Sequence, residues 1–282
     1  MEKIKQYYRL AKPGMVYGNI ITAIAGYFLA SKLNLKPIQF IAMVLGISFV
    51  MGSACAINNL IDRDIDSVMQ RTKKRPSVNG SIKLSSGVIY AIILTILGFS
   101  LLFALVNILT VAIGLVGFID YAFVYTLLKR KTYHATLIGS IAGAMPIMGG
   151  YVAFSDHISI TALIVGLMML FWQMPHFYAI ALYREDDYRK ANIPLLPIVK
   201  NQSITAKSMF VYNLLFIAAA LSLYFYAALN IWYLIVLGTA SIVYLAYSYK
   251  GLRIKHYTVW ARQSFKYSLL LVLVMSVAVA LG

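Results

Sequence analysis

The 282-residue chain is 61% hydrophobic and 12% charged, with a mean hydropathy of +0.78, more apolar surface than a water-soluble globule can hide, which excludes a soluble enzyme or binding module. Its formal charge of +16 does not point to nucleic acid either. The basic residues spread over several membrane-proximal loops with no single recognition element, so anionic lipid headgroups and an anionic substrate account for them better.

Apolar runs near the ~20 residues that cross a bilayer as a helix cover about 14–31, 38–57, 87–106, 108–127, 135–154, 160–182, 209–229, 231–249 and 264–281. They are long and continuous rather than short and alternating, which predicts an all-α integral membrane protein of nine transmembrane helices and not a barrel. Residues 1–282 are expected to form a single polytopic membrane domain. The first run has no separate cleavage region and is expected to act as its own insertion signal. Lys3, Lys5, Arg9 and Lys12 precede it. Arg63, Arg71, Lys73, Lys74, Arg75 and Lys83 follow the second run, and Lys129, Arg130 and Lys131 the fourth. Arg184, Arg189, Lys190, Lys200 and Lys207 follow the sixth, and Lys250, Arg253, Lys255, Arg262 and Lys266 lie between or beside the last two. Only Lys32 and Lys36 are left for the opposite side. This asymmetry places the N-terminus and the basic loops in the cytoplasm of a cell-membrane protein and the C-terminus outside. A single cysteine, Cys55, excludes an internal disulfide.

Six of the nine acidic residues fall in two polar segments on that cytoplasmic face, at about 62–86 and 183–208. The first reads Asn58-Asn59-Leu60-Ile61-Asp62-Arg63-Asp64-Ile65-Asp66. Steps of four put Asn58, Asp62 and Asp66 on one helical stripe and turn Asp64 away from it. Two carboxylates with an amide oxygen one turn earlier make an oxygen face suited to Mg²⁺, which is usually held by one or two carboxylates, waters and substrate phosphates. Arg71, Lys73, Lys74 and Arg75 follow closely and can grip phosphate oxygens. An isolated Asp-x-x-x-Asp is more often a solvated helix end. Here a second cluster, Tyr183-Arg184-Glu185-Asp186-Asp187-Tyr188-Arg189-Lys190, lies on the same face, and the pairing favours a built site. In the fifth and sixth runs, Gly139 and Gly143 allow close helix approach, while Pro146 and Pro175 bend helices that can surround a cavity.

These segments resemble the UbiA-type intramembrane prenyltransferases. More narrowly, the first motif, Trp172-Gln173-Met174-Pro175-His176-Phe177, and Tyr183 to Tyr188 continuing to Asn192-Ile193-Pro194-Leu195-Leu196-Pro197 are similar to the protohaem IX farnesyltransferase (haem O synthase) family. The likeness runs from Lys12-Pro13-Gly14 to Trp260-Ala261-Arg262. It implies nine helices around a central cavity capped by the two acidic loops. The implied reaction joins the farnesyl group of farnesyl diphosphate to a vinyl group of haem b, with water adding a hydroxyl, to give haem O and diphosphate. Mg²⁺ is then the cofactor, and haem A synthase or terminal-oxidase assembly proteins become possible partners.

In the wider family's second motif, Tyr183 takes the first acidic position, Asp187 the middle one and Ala191 the last. Asp187 is therefore expected to support the metal or the diphosphate, with Arg184 and Lys190 as phosphate partners. Trp172, Phe177, Tyr183 and Tyr188 are candidates to face a carbocation. His176 is read either as a hydrogen-bonded structural residue or as a substrate contact or haem ligand. Asp120, inside the fourth run, is costly at that depth, and both a structural hydrogen bond and a cavity-facing role are open. Two competing functions are a UbiA-type transferase acting on a quinone precursor and an ion-coupled transporter. The Trp172–Phe177 and Tyr183–Tyr188 segments speak against the first, and the position of the acidic clusters at helix ends against the second.

Overall fold

The computed structural model describes residues 2–282 as thirteen helices. They are α1 (Glu2–Leu10), α2 (Pro13–Ser31), α3 (Pro37–Ile61), α4 (Arg63–Val68), α5 (Leu84–Leu105), α6 (Ile108–Leu128), α7 (Ala135–Ser155), α8 (Ile160–Tyr183), α9 (Glu185–Lys190), α10 (Leu196–Val199), α11 (Gln202–Tyr226), α12 (Ile231–Lys250) and α13 (Tyr257–Leu281). Among the described residues, nine of them, α2, α3, α5, α6, α7, α8, α11, α12 and α13, are long and apolar enough to span a bilayer. This is a multi-pass integral membrane protein.

Helix starts follow local chemistry. Pro13 and Pro37 open α2 and α3, where a missing N–H costs nothing. Asn107, Ser159, Asn201 and Asn230 cap α6, α8, α11 and α12 by accepting from backbone N–H groups of the first turn. α11 begins at Gln202 and α13 at Tyr257, about two turns before the apolar runs near 209 and 264. Hydropathy marks the buried length of a helix, whereas its backbone ladder continues into the interface until a cap or turn stops it.

Successive spans alternate in direction. At the end opposite the acidic loops, Asn230 N–H donates to the Gly282 carbonyl at 3.3 Å, and the Lys32 ammonium reaches the Ala227 carbonyl at 3.4 Å. Close helix crossings rest on glycines. A Cβ added to Gly150 of α7 collides with the Ala23 carbonyl of α2, and one on Gly26 of α2 with the Ile147 carbonyl of α7, so backbone meets backbone here. At Gly139 and Gly143 the close neighbours are instead the side chains of Tyr125 and Gln173. Pro146 and Pro175 both lie in the interior of their helices, α7 and α8.

One core cluster, including Ile147, Met168, Phe216, Leu223, Tyr233 and Met275, ties α7 and α8 to α11, α12 and α13. Beside it a cavity of about 440 Å³ runs from Arg71 at the basic end down to Leu102 and Ile113. Its walls are mainly apolar, with Met169, Trp172, Phe177 and Phe265 among them.

Candidate active site

α3 ends at Ile61 and α4 starts at Arg63, so the acidic stripe crosses a helix break. The i to i+4 spacing survives it. Asp62 N–H donates to the Asn58 carbonyl at 2.9 Å and Asp66 N–H to the Asp62 carbonyl at 2.8 Å, which keeps the three side chains on one side. All three are buried: Asn58 is 2% exposed, Asp62 2% and Asp66 3%. Asp64 points outward, where the Arg130 guanidinium forks onto it at 2.6 and 2.8 Å and holds its carboxyl down at about 2.

Buried carboxylates need counter-charge, and most of it comes from other parts of the chain. Lys129, only 8% exposed at the end of α6, forms an ion pair with Asp62, while Arg130 approaches the other Asp62 oxygen at 3.5 Å. Desolvation lowers the Lys129 ammonium and the Asp62 charge opposes that shift. Arg75 reaches Asp66 at 2.5 Å and Asn59 at 2.9 Å. Lys12, in a left-handed conformation just before α2, donates to Asn58 Oδ1 and to the Tyr121 hydroxyl at 3.3 Å. Burial pulls its ammonium down to about 7, and the positive charges of Arg75 and Lys129 add to that.

Asn58 is aimed by a residue outside either motif. α6 widens into a π-helical turn over Asp120–Tyr125, which lets the Thr126 hydroxyl donate to the Tyr121 carbonyl at 2.7 Å. The same hydroxyl accepts from Asn58 Nδ2 at 2.7 Å, and that amide also donates to Asp62 at 2.9 Å. The amide oxygen is thereby turned toward Lys12. Asp120 at the head of this turn is 7% exposed and accepts the Ala142 N–H of α7 at 3.0 Å, which settles it as an interhelical hydrogen-bond acceptor.

The second acidic segment touches the first. Asp187 in α9 is 8% exposed and accepts the backbone N–H of Gln70 at 3.2 Å. Met69 and Ile65 pack with Tyr188, Ala191 and Ile193. Glu185 is occupied by Arg189 at 2.5 Å and Gln202 at 2.6 Å, so Asp187 is the inward carboxylate of the segment.

The donor set fits a hard divalent cation. Asp187 Oδ2 is a buried oxygen without a hydrogen-bond partner, and Asp62 Oδ1 accepts no hydrogen bond either, its only positive neighbour being the Arg130 guanidinium at 3.5 Å, so both have lone pairs that a cation can take. Among the described residues no three His, Cys, Asp or Glu side chains converge into a ready-made metal cluster. Mg²⁺ does not require one, since waters and phosphates complete its shell.

Of the predicted basic partners, Arg75 is in the ion-pair network and Arg71 lines the cavity. Lys73, Lys74, Arg184 and Lys190 are exposed, and none forms an ion pair among the described residues. Arg184 and Arg262 both lie over the Tyr183 ring, at 5.4 and 5.9 Å. Trp172 and His176 line the cavity and stack at 4.9 Å. Sequence reasoning assigned Lys12, Lys129 and Arg130 to membrane topology and missed their place in the site. The available signal was position: each sits at the end of a spanning helix on the face that carries the acidic motifs.

Residues 19–270 match the UbiA prenyltransferase family. The chain is 42% identical over 275 residues to the protoheme IX farnesyltransferase of Yersinia pseudotuberculosis, covering 97% of this chain and 93% of that one. It is 41% identical over 279 residues to the protein of the same name from Photorhabdus laumondii, covering 99% and 95%. Among solved structures, a digeranylgeranylglyceryl phosphate synthase superposes with a TM-score of 0.83 at 20% identity, over 100% of this chain and 99% of that one. A UbiA homologue from Archaeoglobus fulgidus, bound to GPP and Mg²⁺, gives 0.70 at 16% identity, over 97% and 99%.

Proposed function

The chain belongs to the UbiA prenyltransferase family and is a membrane prenyltransferase; from that premise we propose that it transfers the farnesyl group of farnesyl diphosphate to a vinyl group of haem b, with water adding a hydroxyl, giving haem O and diphosphate. The observation that carries this reading is the buried Asn58–Asp62–Asp66 face, with oxygens on Asp62 and Asp187 that accept no hydrogen bond, set among Lys12, Lys129 and Arg75, while Arg71 lines the apolar cavity. The names of relatives at about 42% identity supply the acceptor.

An allylic diphosphate reacts when its C–O bond ionises, so the site must stabilise charge gathering on the leaving group. Asn58, Asp62, Asp66 and Asp187 are the residues that would hold Mg²⁺, and the ion, when bound, supplies the Lewis acidity that neutralises the diphosphate. Lys129, Arg75 and Lys12 then exchange carboxylate and amide partners for phosphate oxygens. Arg71 binds from the cavity wall, while Lys73, Lys74, Arg184 and Lys190 form an outer basic rim that attracts the anion. The cavity takes the two lipophilic reactants and excludes bulk water, which otherwise captures the allylic cation before the vinyl group does. Trp172 and Phe177 line that wall, where an aromatic face can stabilise the allylic cation. The basic end faces the cytoplasm and the C-terminus lies outside.

The test incubates purified protein with haem b, farnesyl diphosphate and Mg²⁺ and looks by mass spectrometry for a haem heavier by one farnesyl and one hydroxyl group. Product that disappears with EDTA is expected. Prenylation of an aromatic quinone precursor, with haem b left unmodified, overturns the acceptor assignment.

Thr126 provides a finer check. Thr126→Val leaves Asn58 Nδ2 with one acceptor fewer, and the Mg²⁺ concentration for half-maximal turnover is expected to rise about 10-fold, as for losses of groups that orient metal ligands. Thr126→Ser keeps the hydroxyl and is expected to restore the midpoint. A midpoint that does not move in the valine variant removes Thr126 from the site.

A further inference from the structure

We propose that Arg184 and Arg262 hold the two propionate carboxylates of the porphyrin acceptor at the basic end of the cavity; this rests on the haem reading above. Both arginines extend stripes of side chains that line that cavity. On α8 the stripe is Gln173, Phe177 and Ile180, and Arg184 follows one helical turn later. The bond from Arg184 N–H to the Ile180 carbonyl, at 3.0 Å, carries the helical register to that residue. On α13 the stripe is Phe265, Leu269 and Val272, and Arg262 precedes it by one turn. α8 ends and α13 begins at the basic end, so both stripes finish in a guanidinium on the same side.

The two groups meet on one ring. Their central carbons lie 5.4 and 5.9 Å from the Tyr183 centroid, so they are no farther apart than those two distances together, about 11 Å. Tyr183 packs on Phe265 at 5.7 Å, which sets that ring against the cavity wall. Neither arginine has an anionic partner among the described residues. No acidic residue follows Asp187 in the chain, Glu185 is taken up by Arg189 and Gln202, Asp187 accepts from Gln70, and Asp186 forms no ion pair. Two cations gathered on one ring repel each other, and an anion that bridges them removes the repulsion.

The acceptor supplies such an anion twice over. Its flat aromatic macrocycle suits a wall that carries Trp172, Phe177 and Phe265, but its two propionates are carboxylates and cannot enter an apolar interior without a large desolvation cost. They stop at the polar boundary, where this wall ends in two planar forks that pair with carboxylates bidentately. The diphosphate has its own cations on the other side of the site: Lys12 on Asn58, Lys129 on Asp62 and Arg75 on Asp66. Propionates and vinyl groups occupy opposite halves of a porphyrin. Anchoring the first at Arg184 and Arg262 therefore turns the second into the cavity.

The full-length protein, purified in detergent, is titrated with ferric haem b and, separately, with its dimethyl ester, in which both propionates are neutral. Wild type is expected to bind the diacid at least about 10-fold more tightly than the ester, as for the loss of charge-assisted hydrogen bonds. Arg184→Gln and Arg262→Gln should each weaken the diacid about 10-fold and leave the ester unchanged, and the double variant should bind the two alike. Arg262→Lys, which keeps the charge without the fork, should recover part of the difference. Lys266→Ala, which removes another exposed cation of α13, should keep all of it. A wild type that binds diacid and ester equally overturns the proposal and leaves the haem reading standing. A double variant that keeps the wild-type preference overturns it as well, and if that variant also loses co-purifying anionic phospholipid, the pair serves lipid headgroups instead. A preference lost as fully in Lys266→Ala as in Arg262→Gln reduces the effect to the general basic surface and overturns it too. A wild-type protein that binds neither porphyrin removes the acceptor reading and this inference with it.

Discussion

Asp62→Asn and Asp66→Asn are each expected to cut prenyl transfer on the order of 10³-fold, about 4 kcal/mol of transition-state stabilisation. The two residues also neutralise cations, so loss of activity alone would be ambiguous. Asp62 is the ion-pair partner of Lys129, which is 8% exposed, and removal of one member of a buried pair costs roughly 3–5 kcal/mol of stability because the other charge is stranded. A second variant separates the two effects. Asp62→Asn combined with Lys129→Met removes both charges and should recover most of the thermal stability lost in Asp62→Asn, while turnover stays at the background level. Turnover above about a tenth of wild type in Asp62→Asn or Asp66→Asn, at saturating Mg²⁺, would falsify the assignment of this face to the metal and the leaving group.

Lys129→Met alone is expected to lower kcat by about 10²- to 10³-fold. Its ammonium is bound to Asp62 and is one of the groups proposed to meet the diphosphate, so its contribution should grow as charge moves onto the leaving oxygen. An interaction that strengthens only in the transition state shows in kcat rather than KM. Lys129→Arg is not a neutral control. The site around Lys129 is nearly closed, and a planar guanidinium is broader than an ammonium. A KM effect with unchanged kcat would make Lys129 a ground-state binding residue. No effect on either constant would leave it a structural partner of Asp62.

Much of the site could be read from the chain because its core motif is local. The four-residue spacing of Asn58, Asp62 and Asp66 keeps its meaning across the break between α3 and α4, since the i to i+4 backbone bonds continue through it. Asp187 stood out as the middle position of the second motif, and the structure turns it inward while Glu185 is taken up by Arg189 and Gln202. The cations were harder. Lys12 meets Asn58 across 46 residues, and Lys129 meets Asp62 across 67. No local pattern marks such a pair, and on sequence alone both lysines look like ordinary positive charges at the membrane boundary. Thr126 was silent for the same reason, because its role depends on a π-helical turn that places its hydroxyl beside a residue 68 positions earlier. Asp120 was visible as an anomaly, but its partner, the Ala142 N–H, lies on another helix.

Hydropathy and charge are properties of consecutive residues, so the chain alone determined the membrane class, the nine spans and the end at which the acidic motifs gather. Which lysine neutralises which carboxylate and which way the Asn58 amide turns were decided by how the helices pack. That packing is set by close crossings such as Gly26 with Ile147 and Gly150 with Ala23, where the absence of a side chain lets one backbone approach another. Buried charges then pair with whatever the crossing brings within reach, since in an apolar interior an unpartnered charge costs more than any local preference can offset.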